Sequence, residues 1–371
     1  MSDEMAAFAE AEVAGRDDLV GAETVPAALW RGFGRAGLFA LGLPESYGGR
    51  GGGYAEIAAA AATLAAVGGC LGLATSYSLQ CLVPRFFVLG FGDERQKKAL
   101  LGKLATAEIT VSVAISEPEA GAHPKHLATA ARRDGDAVVI DGAKHWLTNG
   151  PMADLFIVLA VSGQEAARKR FSAYLVPRST PGLEIVPMAP LGFLEPSPHC
   201  GLRLDACRLP ADARLGPEGG AFEAMAGPLR DLEDAVMTGA LAGAARWQLD
   251  RLGELAAAKG LDDGEALETL GGLAERLAVL EAAALRAAAE LDAAPLGEPP
   301  SSAIAGGFRL IAGRFQEIVS GFVRDHEIGG DPALERVTRD LTKSLGIALQ
   351  ARGARRRKRG AALIGASKGT S

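Results

Sequence analysis

Val111-Ser-Val-Ala-Ile-Ser-Glu-Pro-Glu-Ala-Gly-Ala122 and, after a polar interval, Asp141-Gly-Ala-Lys-His-Trp-Leu-Thr-Asn-Gly150 form the stretch that decides how this chain is read. Val111, Val113 and Ile115 alternate with small residues and predict a strand, which Glu117-Pro118 and Gly121 force into a turn. A second strand, 137–140, is expected to end in a hairpin turn at Asp141-Gly142, before a segment from Lys144 to Thr148. Two strand ends then present loops carrying Ser116, Trp146 and Thr148. An indole packs on a ring system while hydroxyls and free backbone amides bond to its polar edge, so these residue types suit a flat heteroaromatic ligand. The same residues also read as a plain hairpin, with Trp146 in the core and the hydroxyls capping turns.

Outward from that stretch, 371 residues predict two or three domains. With 48% apolar and 23% charged residues the composition is globular, and a net charge of −6 argues against general nucleic-acid binding. No apolar run reaches the length of a bilayer span, and the acidic start has no basic stretch leading into an apolar core, so no membrane is expected and a cytoplasmic location is. Cys70, Cys81, Cys200 and Cys207 form no close pair with metal-ligand spacing, and no metal is expected.

Residues 1–110 read as helical. Val25 to Ala36 carries apolar residues at helical intervals and leads into a glycine-rich loop, Leu41-Gly-Leu-Pro-Glu-Ser-Tyr-Gly-Gly-Arg-Gly51, which lacks the flanking strand of a dinucleotide fingerprint. Helices are expected over Tyr54 to Val67 and Leu71 to Leu89, and from Glu94 with Asp93 as cap. From 111 to 219 the period switches to two, with strands near 111–115, 127–133, 137–140, 154–161, 171–177, 183–187 and 201–205, which predicts a β-sandwich or barrel. From 220 to 371 four segments, Ala221 to Ala258, Gly264 to Leu291, Ser301 to Phe322 and Pro332 to Ile364, predict a four-helix bundle. The expected class is α+β in three domains: 1–110, 111–219 and 220–371. The Arg355 to Arg359 cluster reads as a solvated helix face, with a phosphate- or partner-binding role as the alternative.

Ser116-Glu-Pro-Glu-Ala-Gly121 and Trp146-Leu-Thr-Asn-Gly150, in this order and at this spacing, resemble the two middle-domain motifs of the acyl-CoA dehydrogenase family. Pro44-Glu-Ser-Tyr-Gly-Gly-Arg-Gly51, Leu191-Gly-Phe193 and Leu215-Gly-Pro-Glu-Gly-Gly220 extend the resemblance over roughly residues 25–250. Family members are flavoproteins that introduce a 2,3 double bond into acyl-CoA thioesters. The resemblance implies FAD, bound around Val113, Ile115, Ser116, Trp146, Leu147 and Thr148. It implies an acyl-CoA or other acyl-thioester substrate near Asp231 and Ala122, and an electron-transfer flavoprotein as acceptor. It further implies a homodimer, a homotetramer or a heteromer with a paralogue.

Removing the weakly acidic α-proton of a thioester takes a carboxylate whose basicity is raised by burial. In most of the family that base is a Glu on a loop after an Arg-Asp pair, but Arg339-Asp340 is followed here by Leu-Thr-Lys-Ser-Leu-Gly-Ile-Ala-Leu-Gln350, without an acid. A minority resembling isovaleryl-CoA and long-chain dehydrogenases carry it on the first bundle helix, and Leu229-Arg-Asp-Leu-Glu-Asp-Ala-Val236 aligns Glu233 with that base and Asp231 with a pantetheine-binding acid. Glu233 also reads as a solvated acid in an early helical turn. Asp234 stands where relatives have Arg, and a second acid opposes ionisation of Glu233.

Other departures concern the nucleotide. Ala122-His123 replaces Ser-Asp, Lys259-Gly-Leu-Asp-Asp-Gly-Glu265 replaces an Arg-x-x-Phe-Gly motif, and Val319 to Asp325 replaces a Gln-x-x-Gly-Gly-x-Gly loop. Each charged hydrogen bond lost is worth about 1.5–3 kcal/mol. Three expectations follow: a divergent flavin-dependent dehydrogenase with Glu233 as base, a degenerate subunit of a heteromeric assembly, or a flavin monooxygenase on the same fold.

Overall fold

Helices enclose one mixed sheet in the computed structural model, which describes residues 2–166, 168–295 and 303–368. The first region holds α1 (Ser2–Glu12), α2 (Ala27–Arg35), α3 (Tyr54–Gly68), α4 (Leu71–Val83) and α5 (Glu94–Ala105). Asp93 caps α5 as expected: its carboxylate accepts from the Gln96 amide at 2.7 Å while the Gln96 side chain accepts from the Asp93 amide at 3.1 Å. The helix expected over Leu71 to Leu89 stops being α-helical at Val83 and continues as a π-turn, Pro84–Leu89, because Pro84 has no amide hydrogen for the ladder.

The sheet contains β1 (Val111–Ala114), β2 (Ala130–Asp134), β3 (Ala137–Thr148), β4 (Leu155–Glu165), β5 (Arg168–Pro177), β6 (Leu183–Pro187), β7 (His199–Pro210) and β8 (Arg214–Leu215). Its order is β6-β7-β3-β2-β4-β5-β8, with β1 added parallel to β4. The hairpin turn expected at Asp141-Gly142 is instead a bulge within a continuous β3, and the tight turn is the one at Asp134-Gly135. Gly142 sits at φ 148°, where a Cβ would come within 2.6 Å of the Thr129 side chain, so glycine is needed for close approach and not for chain reversal.

Alternation along β4 divides two cores. Phe156, Val158 and Ala160 join Ile140, Leu147, Val176 and Leu202 in a core inside the curled sheet. Leu155, Ile157 and Leu159 point the other way, into the apolar mass formed by the helices. Both faces being buried explains why β4 reads as a nearly continuous apolar run.

A short π-turn, Phe222–Ala226, leads into α6 (Gly227–Ala258), followed by α7 (Gly264–Asp292), α8 (Ala303–Asp325), α9 (Pro332–Gly346) and α10 (Leu349–Lys368). Ser301, the expected start of the third segment, lies outside the described residues. The fourth segment is two helices, since Ile347 and Ala348 leave helical geometry and Ala348 has φ 56°. Gly239 and Gly243 let α6 lie against α3: a Cβ on either would meet the carbonyl oxygen of Ala58 or Ala62 at 2.2 and 2.0 Å. The architecture is the expected α+β class, helices before and after a β region, with α6–α9 as the bundle and α10 beyond it. Among the described residues no helix is long and apolar enough to cross a membrane, and no group of His, Cys, Asp and Glu is arranged to hold a metal.

Candidate active site

Where β1 and β3 end, the sheet forms the rim of a cleft. A second register shift, between Lys144 and Leu147, places Trp146 at φ 62° and turns its indole outward, 52% exposed, while Leu147 is fully buried in the β-core. Leu147, named among the cofactor-binding residues, therefore offers the rim its backbone and not its side chain. Ser112 donates to the Thr148 carbonyl at 2.7 Å, tying β1 to β3. His199 Nδ1 lies 3.0 Å from the Ser197 carbonyl, an acceptor, so that nitrogen carries the proton. Nε2 is left to accept from the Thr148 hydroxyl at 3.0 Å. Burial lowers the pKa of His199, which keeps the ring neutral and this arrangement intact.

Glu117 of the Ser-Glu-Pro stretch is not at the rim surface. Its carboxylate accepts from the amides of Ala128 and Thr129 at 2.7 and 2.9 Å and from Lys144 Nζ at 2.9 Å, and Lys144 also donates to the Ile115 carbonyl at 3.1 Å. Lys144 is buried and its pKa falls to about 8, because desolvation outweighs the pull of Glu117. This pair holds the loop 117–129 against the end of β1. Asn149 and Gly150 are also structural: the Asn149 side chain donates to the Ser76 carbonyl at 2.9 Å, locking α4 to β3, and Gly150 packs on Cys200.

Opposite the rim stand α4, α6 and the break between α9 and α10. Two cavities, about 490 and 670 Å³, share Leu79, Trp146, Thr148, Arg230, Glu233 and Ile347 and so form one cleft. Val113, Ile115, Ser116 and Ala122 line the larger; Leu71, Met237, Leu241 and Ala348 line the smaller. Ile347 and Ala348 stand where the loop after Arg339-Asp340 reaches the cleft, and they bring no acid to it. Glu233 does, and burial followed by the neighbouring Asp234 raises its pKa to about 7 against the opposing pull of Arg230. A carboxyl so poised takes up and releases a proton near neutrality.

Asp234 does not stand as an uncompensated second acid. Arg309 Nη2 reaches it at 3.1 Å, Arg355 Nη1 at 3.4 Å and Arg352 Nη2 at 3.5 Å. Positive charge reaches it from α8 and α10. Asp231 lies outside both cavities, on a small one of about 110 Å³, and pairs with Arg355 at 2.7 Å. Arg309, Arg352 and Arg355 were not legible as site residues, although Arg352, Arg355, Arg356 and Arg359 recur at i, i+3, i+4 and i+7, the spacing of one helix face. Of the stretches that replace the nucleotide motifs, Lys259 is exposed but its Nζ donates to the carbonyls of His326 and Glu327 at 3.1 and 2.6 Å, and in Val319 to Asp325 only Val319 and Phe322 are buried.

Residues 1–108 match the family model described as acyl-CoA dehydrogenase, N-terminal domain, and 112–207 the one described as acyl-CoA dehydrogenase, middle domain. The acyl-CoA dehydrogenase FadE12 of Mycobacterium tuberculosis is 32% identical over 195 residues, 52% of this chain and 49% of the relative. The mitochondrial isovaleryl-CoA dehydrogenase of Pongo abelii is 31% identical over 225 residues, 60% of this chain and 52% of the relative. The chain thus spans about half the length of the curated relatives it matches. Butyryl-CoA dehydrogenase of Megasphaera elsdenii shares the fold with a TM-score of 0.79 at 21% identity, covering 94% of this chain and 92% of its own. With both family models matched in order over more than half its length, and the fold extending through the helices beyond them, the chain belongs to the acyl-CoA dehydrogenase family.

Proposed function

We propose that this chain binds FAD and dehydrogenates an acyl thioester between its α- and β-carbons, with Glu233 as the base. One observation carries the reading: a carboxyl of pKa about 7 lines the same cleft as an outward-turned indole and the free end of a strand. The rim fits a flavin ring, because a half-exposed Trp face and the ends of β1 and β3 leave a flat, partly polar wall uncovered. Val113, Ile115, Ser116, Trp146 and Thr148 would hold that ring, and Ala122 would lie near the substrate. When bound, FAD supplies the two-electron acceptor for the β-hydride. Thr148 Oγ1, whose hydroxyl donates its hydrogen bond to His199 Nε2, offers the cleft its lone pairs and acts there as an acceptor. Glu233 removes the α-proton in its ionised form; Arg230, on the same cleft, favours that form, and apolar Leu79, Met237 and Leu241 keep water from the carbanion. Electron-transfer flavoprotein is the acceptor we propose for the reduced cofactor.

Glu233→Gln tests the reading: flavin should remain bound while its reduction by every acyl-CoA offered is lost. Reduction at the wild-type rate would remove Glu233 as base.

The Lys259 amine, engaged by the His326 and Glu327 carbonyls, favours a second reading, in which the nucleotide end of FAD is held by a paralogous subunit. Flavin per chain in the native complex separates the two. One flavin per chain supports a self-sufficient enzyme, and one per two unlike chains supports the heteromer.

A further inference from the structure

Thr148 and His199 face each other at the last register pair of the β3–β7 ladder, and both line the smaller cavity beside Glu233. A threonine hydroxyl ordinarily turns about its bond and donates or accepts according to what it meets. This one is committed. The Ser197 carbonyl can only accept, so the proton of the imidazole is held on His199 Nδ1, 3.0 Å away. Nε2 is left with a lone pair, and the Thr148 hydroxyl 3.0 Å from it must donate. The surrounding backbone holds both partners in place. The Ser197 amide donates to the Leu194 carbonyl at 2.7 Å, and the Ser197 hydroxyl accepts from that of Ser76 on α4 at 3.1 Å. The Asn149 amide donates to the Pro198 carbonyl at 2.9 Å, and Ser112 fixes the Thr148 carbonyl from β1. Ser197 and Pro198 are buried, whereas Thr148 and His199 are half-buried and open to the cavity. A rigid frame thus serves to aim one hydroxyl whose lone pairs face the cleft.

We propose that His199 is a positioning residue for the flavin: by holding the Thr148 hydroxyl proton in a hydrogen bond, it makes Thr148 an acceptor toward the ring and so favours the reduced flavin over the oxidised one. The inference rests on the dehydrogenase reading, in which Thr148 helps to hold that ring. Hydride from the β-carbon brings both electrons and one hydrogen and turns a bare ring nitrogen into an N–H, while the α-proton goes to Glu233. An acceptor fixed in place meets the bare nitrogen lone pair against lone pair, and meets the N–H as a hydrogen-bond partner. A hydroxyl free to turn would serve both states alike. His199 removes that freedom, and the equilibrium moves toward reduction by the difference.

The test is the reduction potential of the FAD-loaded protein, measured at equilibrium with a reference dye, together with nitrogen NMR of the imidazole. In His199→Phe the released hydroxyl should turn to serve the oxidised ring, and the ratio of reduced to oxidised flavin should fall about tenfold, or about 30 mV for a two-electron couple. Made in a Thr148→Val background, the same change should leave the potential where Thr148→Val alone puts it, since no hydroxyl remains to be aimed. The wild-type imidazole should carry its proton on Nδ1. An unmoved potential in His199→Phe, an equal fall with and without the Thr148 hydroxyl, or a proton on Nε2 would each overturn the inference while leaving flavin bound and the dehydrogenase reading intact. Should His199→Phe fail to fold, Thr148→Ser and Thr148→Val decide. The serine keeps the hydroxyl and should hold the wild-type potential, the valine should lower it about tenfold in the same ratio, and equal potentials would overturn the inference. A wild-type chain that takes up no flavin ends the dehydrogenase reading and this inference with it.

Discussion

Ser116, Trp146 and Thr148 reach the cleft from two neighbouring strand ends, whereas Glu233, Asp234, Arg309, Ser344 and Arg352 reach it from four different helices. At the rim, position follows from local chain geometry: a bulge, a left-handed residue and a hydroxyl bonded one strand away. On the helical wall it follows from packing, and no residue there is placed by its sequence neighbours alone. The difference teaches how each side tolerates change. Rim residues are fixed by backbone, so the motif must persist as written. On the wall, the cations around Asp234 come from two other helices, as Arg309, Arg352 and Arg355, because electrostatics depends on distance and not on the element that supplies the charge.

The sharpest way to separate the two sides is Glu233→Gln, which should lower flavin reduction by about 10³-fold or more while leaving the bound flavin spectrum unchanged. Its stability should move the opposite way. The folded pKa of Glu233 is raised from 4.5 to about 7, so ionisation costs stability as pH rises through that window. The variant should therefore need more denaturant than the wild type at pH 8, with the difference shrinking as pH falls below about 7 and gone only below the unfolded value of 4.5, by roughly pH 4. In the wild-type protein the rate of flavin reduction should rise with pH around a midpoint near 7, and a flat profile would remove Glu233 from the proton transfer.

Next in size, Lys144→Met on the rim side leaves the buried Glu117 carboxylate without its cation and should cost about 3 kcal/mol in chemical denaturation. Asp234→Asn on the wall leaves three arginines without their shared anion and should cost about 2–3 kcal/mol, less because the site is partly solvated. If Lys144→Met and Asp234→Asn cost the same below 1 kcal/mol, neither side depends on its charge cluster in the way described. Thr148→Val should have the smallest effect, about 1 kcal/mol on flavin affinity, since one hydroxyl between His199 and the cleft is removed. A loss much above that would show the rim to be as cooperative as the wall.

The fold was legible in outline because its signals are local. Period-two runs marked most strands, and turn residues such as Asp134-Gly135 marked a true hairpin. Asp141-Gly142 misled because a bulge and a hairpin ask the same thing of the chain, a glycine where the backbone leaves ordinary geometry, and only the Thr129 contact distinguishes them. Ser301 apart, the helical boundaries fell close to expectation except at Val83, where Pro84 ends α4, and at Ile347-Ala348, where Gly346 stands at the break but a lone glycine within an apolar-periodic run does not by itself signal one. Of the cleft, the rim could be named from motifs. The guanidinium cluster could not, since a run of arginines on a helix reads as solvated until the partner helix is known. Lys144 was passed over for a related reason: a lysine within an alternating strand carries no sign that it is buried against Glu117.

Burial of β4 and β5 on both faces has a consequence for handling the protein in pieces. Leu155, Ile157, Leu159, Phe171 and Leu175 look outward from the β region into helices that come from both ends of the chain. A fragment trimmed to 111–219 would carry that greasy stripe into water and should collect as insoluble aggregate. During synthesis the stripe leaves the ribosome before α6 exists to help cover it, so the nascent chain has an interval in which shelter by a chaperone would raise the yield of native protein.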